Sequence, residues 1–112
     1  SIQIPIIDIQ HIWLIKMVVE LDNALHKMGE SKKNEVFQQV IGRAMEYTQE
    51  HFRTEEMIMQ EFKMPSMSGH IAQHRKFVDF LVKRNNENKQ GDHLAASNLV
   101  NDLKEWLFSH IA

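Results

Sequence analysis

The sequence contains no cysteine, so disulfides and thiolate metal sites are both excluded, and any bound metal must be held by nitrogen and oxygen. The formal net charge of -2 argues against a nucleic-acid-binding face, which needs concentrated basic residues. No apolar run is long enough to span a bilayer, and the opening SIQIPIIDIQ lacks the basic start and long apolar middle of a signal peptide. We therefore expect a cytoplasmic domain that contacts neither nucleic acid nor membrane.

A length of 112 residues, with 43% hydrophobic and 25% charged residues, fits one globular domain with one core. The chain begins at Ser1 rather than at a methionine. We expect residues 1–112 to form a single domain of a longer polypeptide.

Proline and glycine are also scarce, and they divide the chain into four segments with helical periodicity. No segment shows the alternation of a strand. Four helices with short connections predict an all-α, up-down-up-down antiparallel four-helix bundle. The predicted helices run from about Asp8 to Met28, from Lys33 to Phe62 with Ser31 as N-cap, from Ser66 or Ser68 to Asn86, and from Asp92 onward.

The periodicity also predicts which side chains face the core. In the second helix this face includes polar residues, which is unusual for a core. The predicted inward residues are Ile7, Leu14, Ile15, Val18, Leu21 and Leu25 in the first helix, and Val36, Phe37, Val40, Ile41, Ala44, Thr48, His51, Glu55, Ile58 and Phe62 in the second. They are Ile71, His74, Phe77, Val78 and Leu81 in the third helix, and Leu99, Leu103, Trp106 and His110 in the fourth.

Two pairs of potential metal ligands have the spacing of one helical turn. His51 and Glu55 are four residues apart, as are His70 and His74, so each pair lies on one face of its helix. Either pair alone is weak evidence, because exposed pairs at this spacing are common. Both lie on faces that the apolar pattern turns inward, where polar groups need partners.

The helix directions bring five of the seven histidines to one end of the bundle. The loop through Pro65 joins the end that carries His51 to the end that carries His70, and His11 and His110 lie at the same level of the first and fourth helices. His26 is about 22 Å further along the first helix than His11, and His93 opens the fourth helix at the opposite end. We expect both of these to be exposed and to bind no metal.

Five imidazoles and one carboxylate exceed the four ligands of a structural zinc site, so two metal ions fit the set better. Glu55 is the candidate bridge, because its two oxygens can each bind one metal. Imidazole with carboxylate suits iron, although zinc, manganese or cobalt would also bind. We considered copper held by methionine, but the spacing of the methionines favours packing in the core and loop. These methionines are Met57, Met59, Met64 and Met67.

The segments that carry these residues resemble the hemerythrins, particularly the bacterial hemerythrin domains. They are IIDIQHIWL, HFRTEE, HIAQH and WLFSHI, and the resemblance covers nearly the whole chain. It implies an oxo- or hydroxo-bridged centre of two iron ions that binds dioxygen reversibly. It implies that His70, His74 and His110 hold one iron, that His11 and His51 hold the other, and that Glu55 bridges them. Trp106 and Leu107 are implied around the dioxygen pocket, and both also fit ordinary core positions.

The chain departs from the family pattern after its last histidine. The family has a second bridging carboxylate, an aspartate five positions beyond that histidine, whereas this chain ends at Ala112. Glu56 is not expected to replace it, because it points about 100° away from Glu55. The tryptophan-bearing arm that precedes the first helix in the family is also absent.

The resemblance implies a binding protein rather than an enzyme. Ferritin-like di-iron enzymes need Glu-x-x-His, and none of the seven histidines has a glutamate three residues before it. Two roles remain open, an oxygen carrier and an oxygen- or redox-sensing module with an attached signalling output domain. The alternatives are a di-iron enzyme acting on peroxide or nitric oxide, and a metal-storage or metal-binding protein.

Overall fold

The computed structural model describes the backbone of residues 5–111 and the side chains of residues 11–109. The described residues contain helices and no strand, and none of these helices is both long and apolar enough to span a membrane. In chain order the elements are α1 (Pro5–Lys27), α2 (Glu30–Tyr47), a π-helical turn (Thr48–Phe52), α3 (Arg53–Glu61), α4 (Met67–Lys89) and α5 (Ala95–Ile111).

α2, the π-helical turn and α3 form one continuous helix. The residues at the junctions, Thr48, Phe52 and Arg53, all keep right-handed helical backbone angles. Residues 5–111 therefore form four long helices. α1 packs against α2 and α5, and α4 packs against α5 and against the α2–α3 helix. This arrangement confirms the predicted four-helix bundle, which measures 47 × 24 × 21 Å.

Two helix ends have the hydrogen bonds of a Schellman motif, which ends a helix with a residue of positive φ. At the end of α3, Lys63 has a φ of 50°, and the Met64 N–H donates to the Met59 carbonyl over 2.9 Å. At the end of α4 the positive φ of 89° falls on Gly91, which has no Cβ to resist it. Both turns reverse the chain sharply and place successive helices side by side.

One apolar core runs through the bundle, and all four helices contribute to it. Most of the predicted inward positions are confirmed, because the apolar residues of α4 and α5 recur on the expected faces. The core consists of Leu14, Met17, Val18, Leu21, Ala24, Val36, Phe37, Val40, Ile41, Ala44, Tyr47, Phe52, Phe77, Leu81, Ala95, Leu99, Val100, Leu103 and Trp106.

Three details of the prediction are wrong. α2 has Gly29 rather than Ser31 at its N-cap, so that helix starts one turn earlier than expected. Ile15 and Phe62 were predicted to face the core but are 42% and 74% exposed. Ile7 lies in α1, and its side chain is outside the described residues.

The π-helical turn changes which residues near it face the core. It contains more residues than an α-helical turn, so the buried positions differ from those of an unbroken α-helix. The exposure of Phe62 has another origin, since Phe62 is the C-cap residue at the end of α3. Phe52 and Met59 are buried after this turn, whereas His51 and Ile58 are only half-buried. Glu55 stays on the inward face and is 2% exposed. The inward face of α3 therefore carries Glu55 and Met59.

Candidate metal centre

Three potential metal ligands meet between α3 and α4. Glu55 comes from the first turn of α3, and His70 and His74 come from successive turns of α4. The Glu55 Oε1 atom lies 2.9 Å from His70 Nδ1 and 3.5 Å from His74 Nε2. One ligand atom from each residue lies within 4.8 Å of the other two, which is close enough for all three to contact one ion. The spacing argument therefore brought these three residues together correctly.

The cluster is buried, which makes its polar composition significant. Glu55 is 2% exposed and His74 is 4% exposed, while His70 is half-buried. A buried carboxylate beside buried imidazoles is costly in an apolar core unless the groups are hydrogen-bonded to partners or bound to a metal. Nitrogen and oxygen ligands of this kind suit iron, zinc and manganese. The residues present therefore fit a first-row metal ion.

His74 is held from two further sides. Its Nδ1–H donates to the Glu56 Oε2 atom over 2.7 Å. Its ring stacks on Phe52, with ring centroids 3.9 Å apart and planes 7° from parallel. These contacts leave the His74 ring little freedom to rotate.

An aromatic wall lies beside the cluster on the core side. Trp106 is 2% exposed and contacts Phe52 and Phe77, with ring centroids 5.5 and 4.8 Å away. Its indole N–H donates to the Gln73 carbonyl over 2.8 Å, which ties α5 to α4 immediately before His74. Leu107 is half-buried against the same core. These contacts make Trp106 a core residue next to the cluster, whereas Leu107 packs against the apolar core.

Tyr47 adds a buried phenol near the cluster. It is 3% exposed, and its ring centroid lies 4.8 Å from that of His51. Burial, and to a smaller extent the negative charge of Glu55, raise the pKa of Tyr47 far above its ordinary range. The phenol therefore stays protonated and neutral at physiological pH.

Among the side chains that the structure describes, the compact group consists of Glu55, His70 and His74 and includes neither His11 nor His51. His11 is 4% exposed, and it is the first residue of α1 whose side chain is described. His51 is half-buried within the π-helical turn. The backbone of His110 lies in α5, but its side chain is outside the described residues. The assignment of these three as ligands stays a prediction.

The two histidines predicted to lie away from the site are exposed, as expected. The His26 side chain is 73% exposed, and its Nδ1–H donates to the Asp22 carbonyl over 2.7 Å. His93 is exposed in the turn before α5. These residues provide natural controls for any experiment on the candidate ligands.

The methionines near the site pack as apolar side chains. Met59 is completely buried, and the half-buried Met64 and Met67 pack against it beneath the loop between α3 and α4. Met57 is 63% exposed. The predicted packing role is therefore confirmed for Met59, Met64 and Met67 and is wrong for Met57.

Sequence reasoning missed two residues of the candidate centre, Phe52 and Glu56. It considered Glu56 only as a replacement bridge, and an unbroken α-helix placed Phe52 off the inward face. The two residues are four positions apart, which is the spacing of neighbours on one helix face. Phe52 and Glu56 could have been found from this four-residue spacing, which parallels that of the neighbouring pair His51 and Glu55.

Comparison with known proteins gives consistent matches along the chain. The family model described as Hemerythrin HHE cation binding domain matches residues 3–112. A bacteriohemerythrin from Stenotrophomonas maltophilia is 30% identical over 111 residues, which cover 99% of this chain and 69% of that protein. Bacteriohemerythrins from Pseudomonas paraeruginosa and Pseudomonas aeruginosa are each 30% identical over 112 residues, covering 96% of this chain and 67% of theirs. No solved structure matches the chain.

Proposed function

The chain belongs to the hemerythrin family, and from this membership we propose that it binds dioxygen reversibly at a non-haem di-iron centre. The observation that carries the proposal is the buried cluster of Glu55, His70 and His74 between α3 and α4. These residues occupy the positions at which the chain resembles the family's metal-binding segments. The cluster combines imidazole nitrogens with a carboxylate, as a di-iron site requires.

The proposed ligand set extends the cluster to all four helices. Glu55 would bridge the two irons, since a carboxylate has one oxygen for each metal. Its burial supports this role, because the negative charge would offset part of the positive charge of two ions. The proposal assigns His70, His74 and His110 to one iron and His11 and His51 to the other.

The side chains on the core side of the cluster would limit the access of water from that direction. Trp106 and Phe52 form an apolar wall on the core side, and Leu107 packs against the same core. A reduced iron pair supplies the electrons that dioxygen takes up on binding. A dry pocket slows the competing loss of reduced oxygen species, which favours reversible binding over turnover.

We propose that the domain binds dioxygen as a carrier or as an oxygen- or redox-sensing module, without catalysing a reaction. A sensing role would couple the centre to an attached signalling output domain. The fold supports either role, because His11 on α1 and the cluster between α3 and α4 belong to helices packed in one bundle.

The test is visible spectroscopy of the reduced, iron-loaded protein before and after exposure to oxygen. We expect a band that appears with oxygen and disappears when oxygen is removed, over several cycles. His26→Ala should behave like the wild type, because this exposed residue is far from the centre. A band that does not reverse, or sustained consumption of added peroxide or nitric oxide, would contradict reversible oxygen binding.

A further inference from the structure

We infer that Glu56 is a positioning residue for the metal centre, which holds the imidazole of His74 so that its Nε2 atom faces the metal. The inference rests on the proposed function. Glu56 contacts His74 from the side opposite to Glu55. Adjacent glutamates on one helix thereby take different roles, Glu55 toward the metal and Glu56 toward the back of a ligand.

The geometry places Glu55 and Glu56 on opposite nitrogens of the same ring. Glu56 Oε2 is 2.7 Å from His74 Nδ1, whereas Glu55 Oε1 is 3.5 Å from His74 Nε2. Successive residues of a helix are about 100° apart, which allows α3 to reach both sides of an imidazole on α4. The His74 side chain is 4% exposed and that of Glu56 is 34% exposed, so Glu56 separates the ring from solvent.

The hydrogen bond determines which nitrogen is available to a metal. An ionised carboxylate only accepts hydrogen bonds, so Glu56 requires a proton on Nδ1. With that proton in place, the lone pair for metal binding is on Nε2, the atom nearer Glu55. Histidine ligands commonly donate their second ring N–H to a carboxylate or carbonyl, which fixes the ring and makes it a better ligand.

Phe52 completes the support of the ring. Phe52 and Glu56 are four residues apart and lie on one helix face, with the phenyl ring stacked on His74 and the carboxylate bonded to its edge. Phe52 is the last residue of the π-helical turn. A groove of about 380 Å³, partly lined by Phe52, Glu56 and His74, leaves Glu56 accessible from outside.

Three variants test the inference through iron affinity. Anaerobic Fe(II) affinity is measured by competition with a chelator for wild type, Glu56→Ala, Glu56→Gln and Glu61→Ala, the last being an exposed control on the same helix. We expect Glu56→Ala to weaken binding by roughly 10- to 100-fold. Glu56→Gln should lose less, because its amide oxygen still accepts from Nδ1–H. A loss in Glu56→Ala no larger than in Glu61→Ala would overturn the inference.

A second measurement on the metal-free protein separates this inference from the proposed function. With ¹⁵N-labelled histidine, the wild type should show a ring N–H signal protected from exchange with water, assigned by its absence in His74→Gln. The signal should persist in Glu56→Gln and Glu61→Ala and disappear in Glu56→Ala. Its persistence in Glu56→Ala would overturn the inference. If the wild type shows the signal but binds no iron, the proposed function fails while the positioning of His74 by Glu56 stands.

Discussion

The two ends of the bundle use buried space differently. At one end, α3 and α4 enclose the carboxylate of Glu55 and the imidazoles of His70 and His74. At the other end, the interior contains apolar side chains such as Phe37 and Leu99. Burying apolar side chains stabilises a fold. Burying a polar cluster costs free energy unless its groups are hydrogen-bonded or bound to a metal. The difference indicates that stability comes mainly from the apolar end and that the polar end is built for binding.

Charged side chains also have different partners at the two ends of the bundle. Arg84 on α4 donates from Nε to Asp102 on α5 over 2.6 Å and from Nη1 to Glu87 over 2.9 Å. These hydrogen bonds raise the pKa of Arg84 above its already high ordinary value, so it stays charged. Each charge there has an opposite charge beside it near the surface. At the polar end, by contrast, two adjacent glutamates point toward histidines.

Inserting one alanine between Phe52 and Arg53 should have the largest effect, because it adds one residue between the π-helical turn and α3. α3 would then rotate by about 100°, taking Glu55 away from α4 and moving the completely buried Met59 out of its position. We expect iron loading to be lost and the free energy of unfolding to fall by about 2–5 kcal/mol, the cost typical of truncating a buried methionine. Iron analysis and urea unfolding measure the two effects.

The matched control is Gln49→Ala, which keeps the residue count and changes only an exposed side chain. It should load iron normally and change the free energy of unfolding by less than about 0.5 kcal/mol. An insertion variant that still loads iron like the wild type would show that the rotation of α3 does not determine iron binding.

Replacing His74 with alanine should abolish iron loading while leaving the bundle folded. The variant removes a proposed ligand but no large part of the apolar core. His51→Ala should give the same loss if His51 is also a ligand, whereas His26→Ala should load iron like the wild type. Iron content per chain and circular dichroism check these outcomes, and equal losses in all three variants would contradict the separation of the two ends.

Leu99→Ala tests the apolar end and should lower the stability of the fold without lowering its iron affinity. Leu99 is completely buried, so we expect the free energy of unfolding to fall by about 2–5 kcal/mol. The folded fraction should still bind iron with an affinity within about threefold of the wild type, since affinity depends on the other end. Urea unfolding and chelator competition distinguish the two effects. A large loss of affinity in the folded protein would mean that the ends are coupled.

The sequence predicted the bundle and the Glu55, His70 and His74 cluster because both depend on regular helical geometry. Leu99, Leu103 and Trp106 recur at turn spacing, and their burial follows from that period alone. The cluster required only the direction of the helices and a short loop between two of them. Both are properties that residue spacing expresses directly.

The parts that were missed depend on departures from that regularity. The π-helical turn places Phe52 and Met59 on the inward face, and no residue in TQEHF marks such a turn. The role of Glu56 depends on the position of the His74 ring on another helix, which spacing within α3 does not express. These are tertiary effects, so a periodic pattern alone does not predict them.

The most direct test of the account is an anaerobic titration of the metal-free protein with Fe(II), counting the irons bound per folded chain. The proposed ligand set predicts two irons per chain, with Glu55 shared between them. His26→Ala should give the same count, and Glu55→Ala should give fewer. A wild-type count of zero or one iron would contradict the proposal that the polar end of this bundle is a di-iron centre.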